Sequence, residues 1–334
     1  MKRFLFVIGA LLAAAAACDR EPCAACTEEW PVHHVSLELG GSALRTKVLD
    51  VPSLAESNVV RCLLYVFSRT GDLVDCYDSA DGRFDLFLTD EVYDFVVAAN
   101  RVDLPRSGVT ETALYALPTR LADNAVGNFV MAGSLNEHRV EADEKITVEV
   151  RRLVGKVTCT LRTAFTGELA AKEFRIEAIG LTNVVGQNTL GLTEVEPNAG
   201  ACWYNRMGLD DPQSEDLPEG MLAARLGVRM AANDSLVPGH SFYPYPNASP
   251  DSHDRERWGS RCTRFVVKAK LGGRTTWYPV TLERVENNRH YHVDLTISNY
   301  GVEHPEDPVT AYSGIVAAVS VADWTDGGTL QGLY

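Results

Sequence analysis

The stretch Ile146-Thr147-Val148-Glu149-Val150-Arg151-Arg152-Leu153-Val154-Gly155-Lys156-Val157-Thr158-Cys159-Thr160-Leu161 decides the fold. Ile146, Val148 and Val150 face one way while Thr147, Glu149 and Arg151 face the other, which is the alternation of a half-buried strand. Past Lys156 the alternation restarts, with Val157, Cys159 and Leu161 set against Thr158, Thr160 and Arg162. A break in an otherwise strand-like run is the natural seam between two units. It divides residues 32–152 from residues 153–334, each long enough to bury its own core.

Strand patterns continue on both sides of the seam. Upstream lie Val35, Leu37 and Leu39, then the apolar run Arg61 to Phe67, the turn Thr70-Gly71-Asp72, the return Leu73 to Tyr77, and the strands Phe84 to Leu88 and Tyr93 to Ala99. Val109 to Leu117 reads as one or two helical turns stopped by Pro118. Downstream lie Phe174 to Ala178, Phe265 to Ala269, Trp277 to Leu282, Tyr291 to Ile297 and Ile315 to Val321. Residues 183–240, rich in Gly and Pro, read as long loops with one short helix near Met221–Leu226. Ten to twelve short strands with little helix predict an all-β protein of two β-sandwich domains in series.

Composition narrows the function. Of 334 residues, 46% are apolar and 23% charged, as in a globular protein, which excludes global disorder. With 45 acidic and 31 basic residues the formal charge is −14, which disfavours binding nucleic acid through charge. No internal run reaches the roughly 18 apolar residues of a spanning helix. At the start, Met1-Lys2-Arg3 precedes an apolar run from Phe4 to Ala17, and Cys18 follows directly. Residues 1–17 read as an export signal and 18–31, with Pro22 and Pro31, as a tether. Cys18 has two readings: a free cysteine left by ordinary signal peptidase, or a lipoprotein cysteine. A lipoprotein cysteine carries two or three acyl chains, each methylene adding about 0.8 kcal/mol of membrane affinity.

Few constellations suggest chemistry. There is no nucleophile elbow, P-loop or HExxH. Cys23 and Cys26 form a CxxC without the βαβ context of a redox motif. Cys62 and Cys76 flank the first hairpin and are candidate disulfide partners. His33 and His34 are adjacent, so on a strand they point to opposite faces and do not chelate together. His290 and His292 share a polar strand face, read here as solvated rather than metal-binding, and Asp251 to Glu256 reads as a solvated loop. No cofactor or metal is expected. The run Ser241-Phe242-Tyr243-Pro244-Tyr245-Pro246-Asn247 has two readings: an edge segment packed on a sheet, or a sugar-stacking platform of Phe242, Tyr243 and Tyr245.

Taken in order, several motifs resemble one family. They are Leu64-Tyr65-Val66-Phe67 with Gly71-Asp72, Tyr93 to Asn100, Phe129 to Gly133, Val148 to Val157, Phe242 to Asn247, Asn288 to Val293, and Val319 to Trp324. This order is similar to that of the Bacteroidales fimbrial subunits of type V pili, the FimA-like fimbrillins and their anchor and tip relatives. The resemblance implies two transthyretin-like sandwiches, export as a lipoprotein anchored at Cys18 in the outer membrane, and non-enzymatic assembly with other fimbrial subunits by strand donation. It implies that Val32 to Leu39 is the strand released and that Arg45 is the processing site, although Arg45 also reads as an ordinary surface arginine. The donor would be Ile315 to Tyr334, but Thr325-Asp326-Gly327-Gly328 breaks that strand, which leaves anchor and tip subunits open beside the stalk. Asp78-Ser79-Ala80 and Asp234-Ser235-Leu236 look like short O-glycosylation sequons of exported proteins. The rival reading is a surface lipoprotein that binds host or other glycans on the aromatic run.

Overall fold

The computed structural model describes residues 31–40, 55–191, 202–209 and 217–324, and these form an almost all-β protein. In the first half the strands are β1 (Val32–Gly40), β2 (Cys62–Ser68), β3 (Leu73–Ser79), β4 (Arg83–Thr89), β5 (Val92–Ala99), β6 (Pro118–Arg120), β7 (Met131–Arg139), β8 (Glu144–Glu149) and β9 (Arg151–Arg152). One helix, α1 (Glu111–Tyr115), lies between β5 and β6. A three-stranded sheet runs β4-β1-β8 and a five-stranded sheet β3-β2-β5-β7-β9.

The alternation read from sequence is the one that packs. Val35, Leu37 and Leu39 of β1 and Phe84, Leu86 and Leu88 of β4 are buried, while Arg83, Asp85 and Phe87 are exposed. β2 and β5 are apolar on both faces because the segment after β5 lies over their outer side. There Leu104, Val109 and Leu114 are buried, and the Tyr65 hydroxyl donates to the Pro105 carbonyl at 3.0 Å. The Thr110 side chain caps α1 by accepting from the Ala113 amide, and Pro118, which cannot extend a helix, opens β6.

In the second half follow β10 (Lys156–Thr163), β11 (Phe174–Thr182), β12 (Val184–Val185), β13 (Gln187–Thr189), β14 (Trp203–Tyr204), β15 (Ala223–Met230), β16 (Ser235–Leu236), β17 (Arg264–Leu271), β18 (Arg274–Thr281), β19 (Arg289–Ile297) and β20 (Ile315–Asp323). They build one sheet ordered β16-β10-β19-β20 and another ordered β15-β11-β17-β18. The helix expected near Met221–Leu226 is a strand instead. Pairing with β11 overrides the local pattern, and Gly227, at φ 63°, sits in the bulge where the register shifts between Ile176 and Ala178. Twenty strands are described where ten to twelve were expected: β6, β9, β12, β13, β14 and β16 are only two or three residues long and carry no period, and β7 and β15 lack a clean alternation.

The sheets of the first half end at Arg152 and those of the second begin at Lys156, and buried apolar residues of both halves form one continuous cluster. Between them lies a polar knot. Arg152 is fully buried; its Nε donates to the Glu56 carbonyl (2.7 Å), its Nη2 to Ser57 Oγ (2.9 Å), and its Nη1 to Asn288 Oδ1 (3.0 Å) and the Trp324 carbonyl (3.3 Å). The guanidinium also lies 4.2 Å from the centre of the Trp324 ring. Glu56 accepts from Lys156 Nζ on both carboxylate oxygens (2.7 Å), from the Tyr243 hydroxyl (2.7 Å) and from Trp324 Nε1 (3.2 Å). β6 and β13 pair across the halves, from Gln187↔Arg120 to Thr189↔Pro118.

Truncating Arg152 strands several buried acceptors at once. Arg152→Ala is expected to lower the unfolding free energy by about 3–5 kcal/mol. Arg151→Ala, at the exposed neighbour, is expected to stay within about 0.5 kcal/mol. Urea unfolding followed by tryptophan fluorescence measures both.

Candidate functional site

β1 is the middle strand of its sheet. It pairs antiparallel with β4, from Val32↔Thr89 to Glu38↔Arg83, and parallel with β8, from Val35↔Glu144 to Gly40↔Glu149. β4 and β8 do not pair with each other, so β1 alone joins them into a sheet. Val35 and Leu37 are 0% exposed and Leu39 2%, and burial of each contributes about 1.5–3 kcal/mol. On the outer face Lys145 pairs with Glu38 (2.7 Å) and His34 Nε2 with Asp85 (3.1 Å), and the His34 amide donates to Asp143 (2.8 Å). The strand ends at a close approach, since a Cβ at Gly40 would fall 2.3 Å from Thr147 Cγ2.

The chain past β1 is next described at Ala55, already at the polar knot, where Glu56 and Ser57 are buried. Asn58 Nδ2 donates to the Gly127 carbonyl (3.0 Å), and the Val60 amide to Asn100 Oδ1 (2.8 Å). The two ends of segment 41–54 are thus fixed in different places, one in the three-stranded sheet and one at the junction. Arg45, Cys18 and the CxxC of Cys23 and Cys26 lie outside the described residues, as does everything after Trp324.

β20 is the opposite case. It is an edge strand, bonded only to β19, from Ile297↔Ile315 to Arg289↔Asp323. Its side chains are largely in solvent, with Val316 70% and Val321 53% exposed. The sheets part beneath its first residues, leaving a cleft of about 350 Å³ lined by Pro279, Val280 and Thr281 of β18 and by Ile315 and Ala317. Its far end is pinned: Arg289 pairs with Asp323, and Trp324, 3% exposed, sits in the knot against Phe129 and Tyr243.

Several expectations are corrected. Phe242, Tyr243 and Tyr245 are 0%, 5% and 0% exposed, so they offer no ring face to a sugar. The run lines the junction. Phe242 bridges to Val157, the Tyr243 hydroxyl bonds Glu56, and the Tyr245 hydroxyl donates to the Arg120 carbonyl (2.9 Å) and accepts from Asn124 Nδ2 (3.1 Å). Burial pushes the Tyr245 hydroxyl up to about 12. The cysteine pair is excluded by register. Cys62 stands opposite Ser79 and Cys76 opposite Tyr65, so the thiols leave opposite faces of the sheet, and both are free. Burial pushes the Cys62 thiol up to about 12.

The loop 251–256 is not simply solvated. Arg264 Nη2 donates to Asp251 (2.7 Å) and its Nη1 to Glu306 (2.9 Å), which also accepts from Arg261 (3.1 Å) and Asn183 (2.8 Å). Glu306, Arg261 and Arg264 are all buried, and nothing in the composition marked them. Among the described residues no cluster of three or more His, Cys, Asp or Glu stands close enough to hold a metal. His290 and His292 are half-buried and bonded to neighbours: Thr158 Oγ1 meets His290 Nε2 (2.7 Å) and His292 Nδ1 (2.9 Å), and Thr160 Oγ1 meets His292 Nε2 (3.0 Å).

Burial, and then the charge of Lys156, lower His290 to about 4, below its ordinary value near 6.5. The folded protein therefore resists protonation there. The stability that depends on a neutral His290 is complete above about pH 6.5 and is lost progressively as the pH falls toward 4. The urea midpoint is expected to drop between pH 7 and pH 5, and His290→Gln is expected to shrink that drop.

No family model matches the chain, and no curated protein matches it in sequence. Solved structures do match in shape. A candidate cell adhesion protein from Bacteroides eggerthii superposes with a TM-score of 0.63 at 18% identity, covering 89% of this chain and 96% of that one. A fimbrilin from Porphyromonas gingivalis W83 gives a TM-score of 0.61 at 15% identity, covering 89% and 99%. The tip fimbrial protein Mfa3 from Porphyromonas gingivalis gives 0.55 at 15% identity, covering 88% and 100%. Over nearly the whole length of those proteins, the fold of this chain is the fold of Bacteroidales fimbrial subunits.

Proposed function

We propose that this chain is a structural subunit of a cell-surface fimbria, exported as a precursor lipidated at Cys18 and joined to other fimbrial subunits by exchange of a β-strand. The observation that carries the reading is the place of β1. It is a central strand held by two ladders and three buried side chains, and it is tied to the rest of the protein only through segment 41–54. A cut at Arg45 breaks the covalent tie between β1 and the chain that follows it. Once β1 leaves, β4 and β8 face each other across a slot of unpaired amides and carbonyls, which an incoming strand satisfies.

The donor side points to a position at the end of the fibre. Lending β20 would break its ladder with β19 and pull Trp324 from between Phe129, Tyr243 and Arg152. A subunit that accepts a strand and keeps its own β20 suits a terminal place, as in a tip or anchor. The glycan-binding reading has lost its platform to burial. The shared fold with adhesion and fimbrial proteins supports a role in assembly rather than catalysis.

The test places a sequence-specific protease site within 41–54 of the full-length chain. After cutting, the fragment ending in β1 is expected to dissociate over time, measured by mass spectrometry, while the remainder stays folded. The emptied protein is expected to capture a strand from another fimbrial subunit and run as a larger species on size exclusion. A cut protein that keeps its fragment and never enlarges would overturn the reading. Mass spectrometry of the native N-terminus checks the rest: an acylated Cys18 before processing and a start at Thr46 after it.

A further inference from the structure

The inner face of β1 carries four side chains at alternate positions, His33, Val35, Leu37 and Leu39. Three are aliphatic and buried. The fourth is not aliphatic: His33 stands opposite Leu88, itself 4% exposed, and its Nε2 is enclosed without a hydrogen-bond partner among the described residues. The β8 ladder begins only at Val35, two residues further along β1. The neighbouring His34 behaves as an ordinary surface residue, facing out, bonded to Asp85 and lying against Phe87 with ring centres 5.3 Å apart. The two histidines share a type and a strand, yet only one of them is misplaced.

We infer that His33 is a built-in misfit which loosens β1 in its slot, and that the strand replacing it, from a second protein chain, carries an apolar side chain in that register. The inference rests on the strand-exchange reading and adds the chemistry of the partner. A buried polar nitrogen gives up its bonds to water and gets none back, so the resident strand docks below the strength its length allows. An aliphatic side chain at the same place meets Leu88 with no such loss. Exchange then runs downhill from a strand with one polar inner position to a strand with none, which gives the process a direction without an external energy source. The slot reads its occupant through alternate side chains, and its position nearest the start of β1 is the one that separates resident from newcomer.

Two measurements test this. Nine-residue peptides with the sequence of residues 32–40, one native and one carrying His33→Val, are added to the cut protein after its own fragment has left. The valine peptide is expected to bind at least about tenfold tighter. In the uncut full-length chain, His33→Val is expected to raise the urea midpoint, and His34→Val is expected not to. Equal or weaker binding by the valine peptide, or no rise in the midpoint, overturns the inference and leaves strand exchange standing. If neither peptide binds the emptied protein, strand exchange itself fails and takes the inference with it.

Discussion

Arg152 and Glu56 bring charge into a place without water, and the rest of the structure is arranged around satisfying them. An isolated buried charge costs several kcal/mol, so each must be met by partners of the right geometry. Those partners come from distant parts of the chain: Ser57 before β2, Lys156 at the start of β10, Tyr243 from the aromatic run, Asn288 before β19 and Trp324 after β20. One knot therefore ties the entry to the first half, the link between the halves and the end of the second. A seam of apolar contacts alone would allow the halves to slide. The fixed directions of these hydrogen bonds do not. The knot also distinguishes the strands: none of its groups comes from β1, while β20 ends inside it at Trp324.

The two halves repeat an architecture that the sequence does not repeat. In each, the first strand is central, antiparallel to one neighbour and parallel to the other: β1 between β4 and β8, and β10 between β16 and β19. The parallel pairs need long crossovers, which is why the partners stand far apart in sequence. What differs is how the first strand is tied. β10 follows the knot directly, through Lys156, and the Val157 amide and carbonyl are both bonded to Phe242. Among the described residues the start of β1 is bonded only within its own half, to Thr89 and Asp143, and segment 41–54 follows the strand. The same position in the same architecture is tied into the junction in one half and only into its own sheet in the other.

Most strands were legible because an amphipathic strand writes its burial into every second residue. Val35, Leu37 and Leu39, and Tyr291, Val293, Leu295 and Ile297, read from sequence as they pack. Other features carry no such pattern. The two-residue ladders are too short for a period, and β15 was hidden because residues 221–226 read locally as a short helix, whereas pairing of Ala223, Ala224 and Arg225 with β11 fixes the strand. The aromatic run was seen but could not be placed, since burial of Tyr243 depends on Glu56 and Phe129, which no local rule brings together. Arg152, Arg261 and Arg264 were invisible as core residues, because arginine is normally at the surface and only a tertiary partner reverses that. His33 falls between these cases: period two puts it on the inner face, but only the packed neighbour Leu88 shows that it is out of place there.

The contrast between β1 and β20 follows from where backbone groups find partners. A central strand shares ladders on two sides, so an empty slot leaves two rows of donors and acceptors unmet and is filled by any strand that fits. An edge strand shares one ladder and exposes the other row to water at little cost. β20 presents such a row with few charges to protect it, Ile315 to Ala322 being uncharged throughout and free of proline. Edges of this kind are liabilities in proteins that must stay apart. Here the exposed edge is tethered by Trp324 and runs beside a cleft rather than a flat face, so a second strand laid along it gains hydrogen bonds but little apolar burial. The place of β1 offers both, and the two sites differ in apolar burial rather than in hydrogen bonding, which they have in common.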